Sequence, residues 1–482
     1  LDRKLSFLKN SFIYTLGDLL PKVVSLLMIP VLTKYMGKVE YGIYGYMTIL
    51  LGFLSMLYIL GLDGALTRFY YEYEDKGEEK KLISTIWIFL LGYNLILSIL
   101  IAIFGKNFSK LILGEIPFNP YFKLLIIICF FATFASIPLV LFRLREQSVK
   151  FGLFNIITTF VNIFFIFYFV SYKTQGAEGY LKAILFTNIA FSVVYLVINI
   201  KDLGLYFSFN IAKSALKYGI PLIPHAIGAW VLMSSDRYFL NIYTSQADLG
   251  LYTLAYQFGM LVYYLIVAIN KAYVPFFFKT ANEEKENAPR VFQEIIKYYS
   301  VFIISIGVGL ALFAKEIIII MASNKEFYAA YKIVPLIGLA YVFNGFYYMC
   351  VNGIFYSKKT YILPFSTGAS AIVALILNFI LIPRYGIYGG AIATIFAYFT
   401  LFIVTYVFSQ KFYYIQWDWV KLSVNTLLGL AIYGISLFNI ENLFLSILYK
   451  TVLFIIYIAL LFLFKILSFE KLIFFKNKLI KR

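Results

Sequence analysis

The sequence predicts an all-α polytopic membrane protein of about fourteen transmembrane helices. Three observations predict it. Of its 482 residues, 62% are hydrophobic and only 14% are charged, whereas a soluble globular chain carries about 25% charged and roughly 45–50% apolar residues. The apolar residues fall in blocks of about twenty, the length that crosses ~30 Å of hydrocarbon as a helix. The blocks are continuously apolar rather than alternating, which excludes a porin-like barrel as well as a soluble enzyme.

The expected spans, in order, are 11–33, 43–64, 82–104, 122–142, 151–171, 180–200, 217–239, 249–271, 296–315, 332–356, 361–382, 387–408, 420–439 and 443–464. With the N-terminus inside, the Lys and Arg of the connecting segments favour the inner side by roughly two to one, so both termini are expected in the cytoplasm. The same rule accounts for the net charge of +18 without nucleic acid. Phe69-Tyr70-Tyr71 follows the second span, and Phe412-Tyr413-Tyr414 with Trp417 and Trp419 precedes the thirteenth. These clusters are expected at the headgroup level. Two longer polar loops, Glu72–Lys81 and Lys279–Arg290, are too short to fold separately. The first block is long and lacks a small-residue cleavage pattern, so no cleavable signal peptide is expected.

The chain reads as duplicated. Glu40-Tyr41-Gly42-Ile43-Tyr44 follows the first span, and Asp248-Leu249-Gly250-Leu251-Tyr252 follows the seventh, 208 residues later. Gly176-Ala177-Glu178-Gly179 and Gly386-Ile387-Tyr388-Gly389 recur at an offset of 210. Six helices per copy is an even number, so the copies form a parallel repeat about an axis along the membrane normal. The expected organisation is residues 1–205 as an N-lobe, 206–412 as a C-lobe, and 413–482 as two further helices with a basic tail.

The first helix of each copy is interrupted. Span 1 carries Gly17, Asp18, Pro21, Lys22 and Pro30; span 7 carries Gly219, Pro221, Pro224, His225 and Gly228, then Asp236-Arg237. Interrupted helices at matching places in two halves point to a transport site. Lys22 lies near the middle of its span, where a charge costs at least ~2.5–3.5 kcal/mol and calls for a partner or a wet cavity. Asp18 is its i−4 neighbour. The two either line a cavity that meets a charged substrate or ion, or neutralise each other. At the repeat offset His225 falls opposite Gly17, either as a titrating group or as a packing residue. Asp63, Arg68, Arg143, Arg145 and Lys271 flank inner helix ends, where they either gather an anionic headgroup or fix topology. Asp236 and Arg237 read as an outer gate or a local ion pair. Asn94, Asn162, Asn188, Gln257 and Asn344 lie within spans, as sugar ligands or as helix bridges.

Cys129 and Cys350 give neither a disulfide framework nor a metal spacing, and one histidine excludes a multi-histidine metal site. No nucleophile triad, paired-carboxylate site or P-loop pattern is present in the sequence, so ATP hydrolysis by that route is not expected.

Several segments together resemble a known family. They are Asn10-Ser-Phe-Ile-Tyr14, Pro30-Val-Leu-Thr33, Tyr41-Gly42-Ile43-Tyr44, Gly61-Leu62 with Ala65 and Arg68, and Ser235-Asp236-Arg237 with Gly250-Leu251-Tyr252. Near the end of the second copy stand Asn378-Phe-Ile-Leu-Ile-Pro383, Tyr385-Gly386-Ile387 and Gly389-Gly390-Ala391. The chain resembles the polysaccharide transporter family, which includes the O-antigen and capsule flippases of the multidrug/oligosaccharidyl-lipid/polysaccharide exporter superfamily. The resemblance implies two six-helix lobes around a central cavity plus two extra helices, in a cell (cytoplasmic) membrane. It implies a polyprenyl-diphosphate-linked oligosaccharide as substrate, moved by alternating access without ATP and without a bound cofactor. A Na+ or H+ gradient or the membrane potential would drive it, and polysaccharide polymerase machinery would be its partner. It points to Lys22 and Arg68 as the cationic groups, and to spans 13 and 14 as a groove for the lipid tail. Two other readings stay open within the superfamily, a cation-coupled multidrug exporter and a lipid II flippase. Lipid II flippases use several cavity arginines where span 1 here has one Lys and one Asp. A membrane-embedded glycosyltransferase or polymerase is a third, for which no outside loop is long enough.

Overall fold

A computed structural model describes residues 13–14, 17, 19–438 and 440–468. Among them no strand occurs. The chain divides into two compact units.

The first unit holds Leu1–Thr253 with Ala322–Glu326 and Asn378–Ile387. It begins with α1 (19–27) and α2 (Ile29–Tyr35), two pieces of the first span separated at Met28. Pro30 sits just beyond the break. Proline donates no backbone hydrogen bond and its ring crowds the carbonyl four residues back, so an interruption falls here. Then come α3 (Lys38–Ile59), α4 (Leu62–Glu74), α5 (Glu79–Leu113), α6 (Lys123–Leu144), α7 (Ser148–Ile166), α8 (Gly176–Asn199), α9 (Phe209–Gly219) and α10 (Leu222–Tyr243). The first residues of α11 (Gln246–Glu283) complete it.

Sequence periodicity missed α4 and α9, because both are short and only half apolar. In α4, Leu62, Ala65, Leu66 and Tyr70 are buried, which is helical spacing for one apolar stripe. That stripe meets Leu82, Ile83, Ile86 and Leu90 of α5, Val140 and Leu141 of α6, and Ile211 and Ala215 of α9. In α9, the Ser208 side chain accepts from the Ile211 N–H and caps the first turn, satisfying one otherwise orphaned donor. Tyr70 is therefore no headgroup anchor: it is 2% exposed inside this cluster, while its neighbour Tyr71 faces outward.

The internal repeat is visible in the packing of this unit. A Cβ on Gly42 would lie 2.0 Å from the Gln246 carbonyl oxygen and 3.0 Å from the Gly250 nitrogen. A Cβ on Gly250 would lie 1.9 Å from the Lys38 carbonyl oxygen and 3.1 Å from the Gly42 nitrogen. Gln246 follows Lys38, and Gly250 follows Gly42, by the same 208 residues. Each motif thus offers the other the same atoms, as a two-fold contact does. Only hydrogen fits where the two backbones touch, and close approach through small residues is what holds helices together when lipid removes the hydrophobic drive. The second motif pair shares a backbone state: Gly176 and Gly386 both have φ of +54°, a region open to glycine and strained for residues with a Cβ.

The second unit holds Leu254–Met321, Phe327–Leu377 and Tyr388–Arg482. It comprises the rest of α11, then α12 (Ala288–Met321), α13 (Val334–Tyr356), most of α14 (Ile362–Phe412), α15 (Trp419–Ser436) and α16 (Leu443–Leu463). At ~1.5 Å per residue, α14 would run to roughly 75 Å if straight, over twice the hydrocarbon thickness. Gly386 breaks it, with φ 54° and ψ −132°, so α14 contains two spans. Helices α15 and α16, which lie outside the repeat, pack on α12 through Val301, Leu312, Ile432, Leu453, Tyr457 and Leu461. The Tyr457 hydroxyl donates to Asn425 Oδ1 at 2.5 Å. Trp417, expected at the headgroup level, is buried and stacks on Trp419 at 5.6 Å.

Eleven helices among the described residues are long and apolar enough to cross a membrane. Counting α14 twice, and adding the interrupted α1–α2 segment and the more polar α10, these account for the fourteen expected spans.

Candidate functional site

Within the first unit, five elements line a cavity of about 310 Å³. On one side α1 and α2 present Pro21, Val24, Ser25, Met28 and Leu32. Helix α3 contributes Tyr44. Helix α7 contributes Asn155, Thr158, Thr159 and Asn162, and α8 contributes Tyr180, Ile184, Thr187 and Asn188. Residues four and seven apart share a helix face, so Asn155, Thr159 and Asn162 form one polar stripe in α7, and Tyr180, Ile184, Thr187 and Asn188 form its counterpart in α8.

A polar stripe inside a membrane-spanning helix costs free energy unless its groups find partners. Some do. Asn162 Nδ2 donates to Thr187 Oγ1 at 3.3 Å. The Thr187 hydroxyl donates to the Ala183 carbonyl at 2.8 Å and the Thr159 hydroxyl to the Asn155 carbonyl at 2.7 Å. Tyr44 and Tyr180 meet edge to face, with ring centroids 4.3 Å apart. Elsewhere Asn94 bridges α5 and α6 through Thr133 Oγ1 at 2.8 Å, away from the cavity.

None of the residues singled out by charge is among the described side chains that line this cavity. Lys22 follows the lining residue Pro21 on α1 and is half-buried; Asp18 lies outside the described residues. Asp63 stands in the first turn of α4, where a carboxylate suits the positive end of the helix dipole. Arg68 is exposed, ion-paired with Glu72 one turn on in its own helix and set over the Phe69 ring. Arg143 is exposed, with its guanidinium 5.8 Å from the Phe151 ring centroid. His225 is exposed near the start of α10. Lys271 is exposed on α11 and belongs to the second unit.

Asp236 and Arg237 form a local ion pair at 3.4 Å. Asp236 is buried and also accepts from the Tyr252 hydroxyl at 2.6 Å, while Arg237 Nη2 donates to the Met233 carbonyl at 2.6 Å. Tyr252 is the last residue of the second repeat motif, so this pair ties α10 to the start of α11. Arg145, grouped with Arg143 in the sequence, has the more elaborate environment of the two. Its fork donates to both oxygens of Asp202 at 2.7 and 2.8 Å, and Nε donates to the Tyr70 hydroxyl at 3.1 Å. The Asp202 hydrogen bonds hold its charge even further above the ordinary guanidinium range.

The second unit has a groove of about 670 Å³, almost wholly apolar. It is lined by Leu261 and Leu265 of α11, Phe302, Ile306, Phe313 and Ile317 of α12, and Ile447 and Phe454 of α16. The resemblance had pointed to spans 13 and 14 together; of these only α16 reaches the groove, because α15 packs elsewhere on α12. Glu316 stands in its wall. Lys450 Nζ donates to its two carboxylate oxygens at 2.7 and 2.8 Å, and the Ser446 hydroxyl donates at 2.5 Å. No group of three or more metal-ligating side chains occurs among the described residues.

Charge guided the sequence reading toward single lysines and arginines. Of the neutral stripe, only Asn162 and Asn188 stand among the candidates that the sequence offers. Its signal was present: Asn155, Thr159 and Asn162, then Tyr180, Thr187 and Asn188, stand at helical spacing on consecutive spans.

Comparison with known proteins follows the same lines. A family model described as "Polysaccharide biosynthesis protein" matches residues 7–281. An "Uncharacterized membrane protein" of Haemophilus influenzae is 27% identical over 379 residues, covering 77% of this chain and 89% of the relative. A "Probable low-salt glycan biosynthesis flippase Agl15" of Haloferax volcanii is 24% identical over 407 residues, covering 82% and 83%. Among solved structures, "Lipid II flippase MurJ, inward closed conformation" superposes with a TM-score of 0.75 at 19% identity, covering 95% of this chain and 100% of that one. An inward-facing multidrug resistance MATE family transporter of the MOP superfamily gives 0.62 at 18%, covering 83% and 94%. At these identities the structures establish the fold.

Proposed function

Since this chain belongs to the polysaccharide biosynthesis protein family, we propose that it is a flippase for a polyprenyl-diphosphate-linked oligosaccharide. It moves the headgroup from the cytoplasmic to the outer leaflet by alternating access and acts as a transporter rather than an enzyme. The observation that carries this reading is the hydrogen-bonding cavity of about 310 Å³ built by spans that are otherwise apolar.

The physics favours such a cargo. Sugar hydroxyls lose their hydrogen bonds to water on entering hydrocarbon, at a cost of several kcal/mol per unpaired group. Amide and hydroxyl side chains replace those bonds, while an isoprenoid tail needs no such replacement. The groove lined by Leu261, Phe302 and Phe454 offers an apolar surface to the tail. An inside-negative potential drives an anion outward by about 2.3 kcal/mol per charge per 100 mV. A Na+ or H+ gradient acting through Asp18 or His225 is the second source of drive. On this reading the chain sits in the cytoplasmic membrane with both termini inside and hands its product to polysaccharide polymerase machinery.

The test is translocation in vesicles. Purified protein is reconstituted with a fluorescent lipid-linked oligosaccharide, and outward movement is followed by membrane-impermeant quenching. Protein-dependent movement is expected, and Lys22→Ala, next to the cavity-lining Pro21, is expected to slow it at normal protein level. Efflux of cationic drugs under a sodium or proton gradient, with no movement of the glycolipid, would overturn the proposal in favour of a drug exporter.

A further inference from the structure

The cavity in the first unit has two properties that narrow its ligand beyond "lipid-linked oligosaccharide". The described side chains lining it carry no charge. Asn155 and Asn188 line it with side-chain amides that bond to no protein group among the described residues. Both residues are half-buried, and a primary amide offers two N–H donors and a carbonyl acceptor to whatever enters. Their neighbour Asn162 shows the alternative, since it is paired across the helices with Thr187. Two amides that line a cavity and find no partner among the described residues suit a ligand that both donates and accepts.

We propose that this cavity binds an uncharged sugar ring of the headgroup and discriminates against acidic sugars; the proposal rests on the flippase reading and specifies its substrate class. A pyranose hydroxyl donates and accepts at once, as an amide does, and an acetamido group does the same. At about 310 Å³ the space lies at the lower end of the ~300–1,000 Å³ typical of ligand pockets, suiting a sugar ring rather than a whole oligosaccharide. The Tyr44–Tyr180 pair adds aromatic surface beside the amides. A uronate carboxylate entering the same space meets no cation among the described lining residues, and burying an unpaired charge costs far more than burying a hydroxyl. Specificity of this kind comes from unpaired polar groups in the site as much as from contacts made.

Two measurements on the full-length protein test this. In detergent, the melting temperature is recorded with chitobiose and with a disaccharide of similar size containing glucuronate. Chitobiose is expected to raise it in the wild type, the uronate sugar to leave it unchanged, and Asn155→Leu or Asn188→Leu to remove the response. Asn188→Thr keeps a hydrogen-bonding group and is expected to retain part of the response, which separates loss of binding from loss of folding. In vesicles, the leucine variants are expected to raise KM for a neutral glycolipid at least tenfold at normal protein level. Equal responses to both disaccharides, no response to either, or leucine variants with unchanged KM would overturn the sugar assignment. Sugar binding without movement of any polyprenyl-linked substrate would overturn the flippase reading and leave the binding cavity standing.

Discussion

Adding a single methyl group to Gly42 or Gly250 probes the contact on which the internal repeat turns. The Cβ of Gly42→Ala would sit 2.0 Å from the Gln246 carbonyl oxygen, and that of Gly250→Ala 1.9 Å from the Lys38 carbonyl oxygen. Real Cβ contacts essentially never fall below 3.0 Å, so the backbones must retreat by roughly 1 Å. Overpacking costs about 1–3 kcal/mol where side chains can readjust. Backbone stands on both sides here and no rotamer relieves the clash, so the expected cost is at the top of that range, about 3 kcal/mol. At ~2–4 °C per kcal/mol for a domain of 150–250 residues, each variant should melt roughly 6–12 °C below the wild type in detergent. Gly92→Ala is the control. It lies in α5 with nothing within 4 Å of its Cβ, where alanine gains about 0.5–1 kcal/mol in a helix. The double variant Gly42→Ala/Gly250→Ala should cost clearly less than the sum of the singles, because one retreat of the helices makes room for both methyls. If the single variants melt with the control, or the two costs simply add, the two motifs do not share one seam.

Other expectations follow from the ion pairs and the buried thiols. Lys450→Met strands the Glu316 carboxylate in a nearly water-free place and should cost about 3–5 kcal/mol, whereas Glu316→Leu/Lys450→Met should recover most of it; a double-mutant cycle on detergent melts decides. Arg145→Lys keeps the charge but cannot reach both Asp202 oxygens and the Tyr70 hydroxyl, so a loss of about 1.5–3 kcal/mol is expected; an unchanged melting temperature would count against a stabilising role for that fork. Cys129 and Cys350 are both buried and free, so a membrane-permeant maleimide should label them only after denaturation, as mass spectrometry of intact and denatured protein would report.

Much of the fold was legible because a membrane imposes a length and a composition on any helix that crosses it. The segments 361–382 and 387–408 were read as two spans although the helix runs through both with one break. Gly386 lies between the two, and its positive φ makes the break. The repeat was legible as two short glycine motifs at nearly one offset. Helices α4 and α9 were not legible. Their apolar stripes are short and carry no membrane-length signal, and they form by burying Tyr70, Ile211 and Ala215 in a shared cluster. The candidate site was legible only in part. Asn162 and Asn188 drew notice singly, but nothing in the sequence says that α7 and α8 face each other with their polar stripes inward.

By itself the sequence determined the solvent: 62% hydrophobic residues in span-length blocks call for a bilayer, where every backbone group must be paired within its own helix. It also carried the repeat signal, since Gly42 and Gly250 stand at matching places 208 residues apart. Only the tertiary structure decided which polar side chains share a chamber and which merely bind each other. Arg68 is committed to Glu72 and Arg145 to Asp202, while Asn155 and Asn188 face open space. The reason is physical. Burial and partnering depend on which helices pack together, and a residue's own type and neighbours in the chain carry no record of what lies across the gap.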